Sequence, residues 1–357
     1  MSEYTPEIVL AATVGTKDAK DLEKLKYGIK TLCENNRSLR MRLDNTGGYM
    51  IGATTELQLR VGLHDLKQQT SIEIQVGEFM IEYRETVFGT LSDAVAVKSP
   101  NKENMLWMKV KPMREDLSRA IETGKIKTED RTERASILSG KYGFDTEEAF
   151  NIWSISSQTP NLLVNSAVDN RYVSDISGSV VSGFDMAVER GPLCDEPIRS
   201  VQFSLWDATL HADAMRRGAG QILPSSRKIM HGALLSAEPG LLEPLYQCEV
   251  STSKSYESTI LPLLNTARGY EFDFTETDGN KIIKCKLPVA GSIGLEESLV
   301  SQTCGEARVK YTFDGWVRVP GDPYKDENSL CAAIVKKIRA AKDLGELKTA
   351  DYYLDKN

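Results

Sequence analysis

The chain contains the stretch Leu39-Arg40-Met41-Arg42-Leu43, then the turn Asn45-Thr46-Gly47-Gly48, then Tyr49-Met50-Ile51-Gly52-Ala53. Two apolar-rich runs that flank an Asn- and Gly-containing turn predict a β-hairpin. Four further patterns surround it, namely a β-branched strand, a leucine-spaced helix, a second helix and an alternating strand, at residues 8–14, 17–34, 55–67 and 71–76. The resulting βαββαβ order predicts a split βαβ sandwich over residues 1–78.

The same order of elements returns in the last third of the chain. A strand, a helix, a two-stranded hairpin, a short helix and a final strand are predicted at residues 245–250, 256–266, 269–274, 282–287, 295–302 and 309–319. We therefore predict a second βαββαβ domain over residues 244–357, which also holds a C-terminal helix at 329–342 and a short tail. Both terminal domains are expected to be ferredoxin-like.

The middle segment, residues 79–243, has less regular patterns. Strands are predicted at residues 80–86, 94–97, 105–110 and 200–205, and helices at 114–122, 128–142, 146–153, 180–189 and 225–238. Two polar, basic turns interrupt them, Lys98-Ser99-Pro100-Asn101-Lys102 and Arg217-Gly218-Ala219-Gly220. The predicted fold class is α+β, with two ferredoxin-like domains bracketing an elongated mixed α+β domain.

The composition is that of an ordinary folded protein. The 357 residues include 41 % hydrophobic and 27 % charged side chains, which argues against disorder, and the length suits two or three domains. Because there is no apolar run long enough to span a membrane and no signal-peptide pattern, we expect a cytoplasmic protein without a membrane contact. The net charge of −7 argues, taken alone, against a nucleic-acid partner.

Few side chains are suited to metal binding or catalysis. The six cysteines are dispersed without a Cys-x-x-Cys pair, and the only histidines are His64, His211 and His231. We therefore expect no metal site and no cofactor, and we interpret His64 and His231 as helix residues, the latter on a helix that follows Pro224. The sequence contains no Gly-x-x-x-x-Gly-Lys-Ser/Thr phosphate-binding loop.

Two motifs carry a family resemblance. The stretch Leu210-His211-Ala212-Asp213-Ala214-Met215-Arg216-Arg217-Gly218-Ala219-Gly220-Gln221, with Lys98-Ser99-Pro100-Asn101-Lys102 and the nearby Asn104, resembles the domain IV tip of eukaryotic and archaeal elongation factor 2, the ribosomal translocase. Colinear supporting matches are Tyr83-Arg84-Glu85-Thr86-Val87, Leu193-Cys194-Asp195-Glu196, Leu242-Glu243-Pro244, Trp316 with Pro320-Gly321-Asp322-Pro323, and Leu354-Asp355-Lys356.

The resemblance implies a domain assignment and a partner. Residues 1–78, 79–243 and 244–357 would correspond to domains III, IV and V of that family, with a ribosomal S5-like fold for domain IV. In the family, domain IV enters the ribosomal A site, where its tip touches mRNA, tRNA and the small-subunit rRNA of the decoding centre. Domains III and V would meet the factor-binding region of the large subunit. The implied partner is the ribosome, and we expect the chain to be a monomer.

The predicted RNA-binding tip comprises side chains of both motifs: Lys98, Ser99, Pro100, Asn101, Lys102, His211, Asp213, Arg216, Arg217, Gly218 and Gln221. Its four cations lie on turns rich in glycine, proline and asparagine, where exposed positive charge can meet phosphates. Without the resemblance, these turns could equally be solvated loops. No catalytic residue is predicted, and the pair Asp213 and His211 is interpreted as part of the RNA contact.

Three departures from the family pattern affect the expected function. The family's GTPase half has no counterpart here, so we do not expect this chain to bind or hydrolyse GTP. The histidine that the family converts to diphthamide falls at Arg216, which cannot carry the modification, and His211 aligns with a different histidine. The family's Gly-Glu-Leu-His-Leu-Glu stretch is Thr55-Glu56-Leu57-Gln58-Leu59-Arg60, which we interpret as a surface free to drift in the absence of its partner domain.

The resemblance implies a GTPase-less relative of elongation factor 2 that occupies the A site in dormancy (hibernation) or inhibition rather than in translocation. Two alternatives stay open. The chain could be the C-terminal half of a translocase, as a fragment or as one piece of a split factor, or it could be a ribonucleoprotein scaffold. The cations of the last predicted helix are interpreted as a solvated face or as a contact that returns to domain IV; they are Lys336, Lys337, Arg339 and Lys342.

Overall fold

The computed structural model describes residues 7–43, 47–126, 130–156, 159–167, 172–277 and 280–355. The chain divides into two compact units, each made of two segments of sequence. The first unit comprises Met1–Tyr83 and Glu243–Arg318, and the second comprises Arg84–Leu242 and Val319–Asn357. The division into three domains stays a prediction.

The first segment is a βαββαβ unit, as predicted. Its elements are β1 (Leu10–Thr16), α1 (Leu22–Asn35), β2 (Leu39–Leu43), β3 (Tyr49–Ala53), α2 (Glu56–Thr70) and β4 (Ile74–Ile81). The sheet has the order β2-β3-β1-β4, and each neighbouring pair is antiparallel. The two hairpin strands are confirmed, whereas Asn45 and Thr46 of the turn lie outside the described residues. Strand β4 starts later than predicted because α2 continues to Thr70 and ends at Ser71, which is left-handed (φ 51°).

The middle segment contains the second sheet. Strand β5 (Arg84–Val87) of this segment pairs with residues 239–242, whereas the strands of the second sheet are β6 (Val95–Lys98), β7 (Met105–Pro112), β8 (Ile152–Ile155), β9 (Leu162–Asn165) and β10 (Val201–Thr209). Its helices are α3 (Glu115–Glu122), α4 (Arg131–Tyr142), α5 (Thr146–Phe150), α6 (Val173–Glu189) and α7 (Ala219–Leu235). The sheet order is β6-β7-β10-β9-β8, with β9 and β10 parallel and the other pairs antiparallel.

Several predicted boundaries in this segment are wrong. The helix predicted at 146–153 ends at Phe150, and its last residues belong to β8. Strands β8 and β9 were not predicted, because each has only four residues and neither offers a full alternating pattern. Helix α6 begins at Val173, seven residues before the predicted start at residue 180.

Helix α7 also begins earlier than predicted. Pro224, predicted to precede the helix, lies inside it. Proline has no N–H to donate to the carbonyl four residues back, at Gly220, so this position weakens the helix. Packing between α6 and α7 offsets the loss. A Cβ at Gly183 of α6 would come 2.7 Å from Ser226 Cβ, so the absence of a side chain at Gly183 lets the two helices pack closely.

The last part of the chain repeats the βαββαβ order. Its elements are β11 (Pro239–Ser253), α8 (Glu257–Thr266), β12 (Tyr270–Thr277), β13 (Asn280–Pro288), α9 (Val289–Ser292), α10 (Leu295–Gln302) and β14 (Arg308–Arg318). The sheet order β12-β13-β11-β14 matches that of the first segment. Helices α11 (Leu330–Ala341) and α12 (Ala350–Tyr353) follow. The predicted α+β fold class is confirmed.

The stretch at residues 55–60 makes internal contacts in the first unit. The Glu56 carboxylate is nearly buried and accepts a hydrogen bond from the Gly294 N–H at 2.8 Å. Arg60 bonds Glu56 at 2.7 Å and lies 3.2 Å from the Glu297 carboxylate. This stretch therefore joins the two βαββαβ segments, and the interpretation that its sequence is free to drift stays a prediction.

In the second unit, two of the quoted motifs meet at a buried carboxylate. Glu85 of β5 is fully buried and accepts hydrogen bonds from the backbone N–H groups of Leu193 and Cys194, both at 2.8 Å, and of Glu196 at 3.2 Å. Burial raises the pKa of the Glu85 carboxyl to about 7, although these N–H groups favour the charged form.

Helix α11 contacts the other side of the same turn. Arg339 donates to the Leu193 carbonyl at 2.6 Å, and Lys342 donates to the carbonyls of Cys194 and Asp195 at 3.1 and 2.6 Å. Of the two interpretations of this helix, the contact that returns to the middle segment is confirmed for Arg339 and Lys342.

The buried His231 is expected to make the second unit less stable in acid. Its imidazole is buried in α7, and burial and the nearby Arg227 lower its pKa to about 4. The unfolded chain takes up this proton first, so stability contributed by the neutral ring is lost as the pH falls from 6.5 towards 4. We expect the free energy of unfolding of the wild type to fall relative to that of His231→Gln, by up to about 1.4 kcal/mol per pH unit.

The measurement is urea unfolding of both proteins between pH 7 and pH 4. The contribution of Glu85 to the free energy of unfolding changes with pH in the opposite direction, because its raised pKa adds stability as the pH falls. Both proteins contain Glu85, so the difference between their free energies of unfolding isolates the contribution of His231. A constant difference across this pH range would contradict the prediction.

Candidate nucleic-acid interface

Two loops meet at one end of the second sheet, and we call them the tip loops: residues 98–104, between β6 and β7, and residues 211–217, between β10 and α7. Two side-chain amides join them. The Nδ2 atoms of Asn101 and Asn104 both donate to the Arg216 carbonyl, at 2.8 and 2.9 Å. The Asn104 Oδ1 atom accepts from the His211 N–H at 3.0 Å. The structure thus brings together the two motifs that were predicted to form the tip.

The first tip loop is also tied to α7 and folded on itself. The Asn101 N–H donates to the side-chain oxygen of Gln221 at 2.9 Å. Ser99 is buried, and its N–H donates to the Asn104 carbonyl at 2.8 Å. Lys102 has a positive φ of 61°, and its N–H closes a turn on the Ser99 carbonyl at 2.8 Å. Ser99, Asn101 and Gln221 therefore brace the loop, whereas Lys98, Pro100 and Lys102 are exposed.

The second tip loop is a capped 3-10 turn, Ala214–Arg217. The Asp213 carboxylate accepts the Met215 N–H at 3.0 Å, and the Asp213 N–H donates to His211 Nδ1 at 3.0 Å. Gly218 is the N-cap of α7. His211, Asp213 and Gly218 thus shape the turn.

Arg217 does not present an exposed cation. Its side chain is 8 % exposed and donates to the carbonyls of His211 and Ala212 at 2.8 and 2.7 Å. It also bonds the Asp175 carboxylate at 2.7 Å and lies 4.3 Å from the centre of the Tyr172 ring. The expectation that Arg217 is exposed for phosphate contact is wrong, because its guanidinium is used to hold the loop.

Met215 and Arg216 are exposed side chains of the second tip loop. Met215 is 89 % exposed, and the Arg216 side chain is 54 % exposed and forms an ion pair with Glu103. Neither Met215 nor Glu103 was among the predicted tip residues, and Asn104 was noted only as part of the motif. The acidic Glu103 within the basic first tip loop could have indicated an ion pair, whereas no pattern in the sequence predicts that Met215 is exposed.

The arrangement of the tip loops can bind anions. Three exposed cations, Lys98, Lys102 and Arg216, and the exposed thioether of Met215 lie on the braced backbone of the tip loops, which suits phosphates and unstacked bases. Within the described ranges, no group of three or more His, Cys, Asp or Glu side chains is arranged to hold a metal ion. No helix formed by the described residues has the length and apolarity needed to cross a membrane.

Asn104 is the main brace between the tip loops, and its removal should loosen them. It is 2 % exposed, and its side chain contacts Ser99, Asn101, His211 and the Arg216 carbonyl. We expect Asn104→Ala to lower the free energy of unfolding by about 2 kcal/mol, because buried backbone groups lose their partners. Urea unfolding measures the effect. Lys102→Ala, on the exposed side of the same loop, should change it by less than about 0.5 kcal/mol, and equal losses in both variants would contradict this account.

Two family models match the chain. The model described as elongation factor G, domain IV, matches residues 123–238, and the model described as elongation factor G C-terminus matches residues 240–327. The first match includes the tip loop at 211–217, and the second includes most of the repeated βαββαβ segment.

Proposed function

Because the chain carries domain IV and the C-terminal domain of the elongation factor G/2 family, we propose that it binds the ribosome and places its tip loops in the A site, at the decoding centre. The observation that carries the proposal is the braced tip, where Asn101 and Asn104 fix the Arg216 carbonyl and leave the Arg216 side chain exposed. A fixed backbone with exposed cations suits a contact with folded RNA, since less loop entropy is lost on binding.

In this proposal the chain acts as a dormancy or inhibitory factor. A protein held in the A site excludes tRNA and competing factors, and no phosphate-binding loop occurs in these 357 residues to drive a nucleotide cycle. Arg216 stands where the resemblance to eukaryotic and archaeal elongation factor 2 places the modified histidine, so a permanent cation would replace diphthamide at the RNA contact. The proposed form is a cytoplasmic monomer that contacts the large subunit through its two βαββαβ segments.

Sedimentation with purified ribosomes tests the proposal. The wild-type protein should pellet with ribosomes at low salt, leave them as the salt concentration rises, and be excluded when tRNA fills the A site. Protein that stays in the supernatant at low salt, or that binds equally well beside A-site tRNA, would overturn it.

A second candidate is the C-terminal half of a translocating factor. It is favoured by the same two family matches, since both models describe domains from the C-terminal half of a longer factor. This candidate predicts that the GTPase half exists in a longer reading frame or in a co-purifying protein, and that adding it restores GTP-dependent translocation. A third candidate, a ribonucleoprotein scaffold, predicts binding to assembly particles in preference to mature ribosomes.

A further inference from the structure

The residues after α11 contact β6, which leads into the first tip loop, and α7, which follows the second tip loop. We call residues 350–355 the C-terminal latch. On one side it packs on α7, where a Cβ at Gly232 would come 2.4 Å from Leu354 Cδ2. The Tyr353 ring meets the His231 ring edge-on, with 5.5 Å between their centres. The latch is therefore seated on the helix whose first turn carries Gln221 of the tip.

On the other side the latch covers β6. This strand stands at the end of the sheet order β6-β7-β10-β9-β8, so one of its edges faces away from its neighbour. The Asp355 N–H donates to the Ala96 carbonyl at 3.3 Å, and the Asp355 carboxylate accepts the Lys98 N–H at 2.5 Å. Lys228 of α7 lies 4.0 Å from the same carboxylate. Asp355 thus supplies an acceptor to the edge of β6, as a neighbouring strand would.

Lys98 is where β6 ends and the first tip loop begins. Its side chain is one of the exposed cations of the tip, and the next residue, Ser99, starts the network that binds Asn101 and Asn104. An acceptor that fixes the Lys98 backbone therefore sets the direction in which the loop leaves the sheet.

We propose that the C-terminal latch holds the tip in its RNA-binding conformation, and that Asp355 is a positioning residue that acts through the Lys98 backbone. The statement that the latch fixes the conformation of the tip loops concerns the fold alone, whereas its effect on RNA contact rests on the proposed function. The latch adds no contact with the RNA in this proposal, so its loss weakens binding without removing a phosphate contact.

Three variants and one control test the latch. Asp355→Ala removes the acceptor, and Gly232→Ala displaces Leu354 although alanine favours a helix more than glycine does. Asp351→Ala removes an exposed carboxylate from α12 and is the matched control. Hydrogen exchange at the Lys98 amide should become at least about tenfold faster in the first two variants and stay within about twofold in the control. Asp355→Asn keeps an oxygen acceptor and should restore most of the protection.

Ribosome sedimentation over a range of salt concentrations gives the second readout. We expect Asp355→Ala to bind about three- to tenfold more weakly, with an unchanged slope of log affinity against log salt. An unchanged rate of hydrogen exchange at the Lys98 amide in Asp355→Ala would overturn the latch. Faster exchange at this amide with an unchanged ribosome affinity would overturn the positioning role of Asp355. If the wild type does not bind ribosomes at all, the proposed function fails, and Lys98 exchange still decides whether the latch exists.

Discussion

Replacement of Arg217 with alanine is expected to destabilise the second unit by about 2–4 kcal/mol, the largest stability effect in the tip. The guanidinium donates to two loop carbonyls and to Asp175, and it is almost completely buried. Alanine would leave the His211 and Ala212 carbonyls without this donor and would uncouple the loop from α6. Urea unfolding of the variant measures the loss.

Two controls separate this role from a general effect of positive charge. Arg217→Lys keeps the charge but cannot reach both carbonyls and Asp175 with a planar fork, so it should recover only part of the loss. Arg216→Ala removes an exposed side chain and should change stability by less than about 0.5 kcal/mol. Equal destabilisation by Arg216→Ala and Arg217→Ala would contradict the assignment of different roles to the two arginines.

Charge reversal at Arg216 is expected to weaken ribosome binding by about ten- to a hundredfold without unfolding the protein. The side chain is about half exposed, so a glutamate there stays solvated in the free protein but is repelled by phosphates. Because a phosphate contact is lost, the slope of log affinity against log salt should also become shallower by about one unit. Sedimentation over a range of salt concentrations measures both quantities.

Glu103→Gln is a control that should change the ribosome affinity in the opposite direction. Glu103 pairs with Arg216 in the free protein and competes with phosphate for its guanidinium. Removal of this carboxylate charge should therefore raise the affinity about two- to fivefold. Weaker binding of Glu103→Gln would show that the ion pair itself is the RNA-binding feature and would contradict a phosphate contact by Arg216.

The parts of the fold that could be predicted are those with a strong local pattern. The strands at Leu39–Leu43 and Tyr49–Ala53 were predicted to the residue, because apolar runs flank a turn-forming stretch. Helix α7 was predicted too short because Pro224 usually marks a boundary, and its packing on Gly183 of α6 cannot be seen in a single sequence. Strands β8 and β9 are too short for an alternating pattern to distinguish them from loops.

The tip was predicted as a set of residues but not as a set of roles. Arg216 and Arg217 are adjacent and chemically identical in the sequence, and only the three-dimensional structure turns one towards Asp175 and the other outward. Likewise, the sequence of residues 55–60 gave no sign that Glu56 and Arg60 contact Gly294 and Glu297 across 238 and 237 residues of sequence. Long-range contacts of this kind leave no local pattern.

A density map of the protein bound to the ribosome would show directly whether the tip loops occupy the A site. We expect the tip loops to lie in the A site, with Arg216 and Met215 against decoding-centre RNA and Arg217 still bonded to Asp175. Density for the protein outside the A site, or in the A site with the tip loops facing solvent, would contradict it.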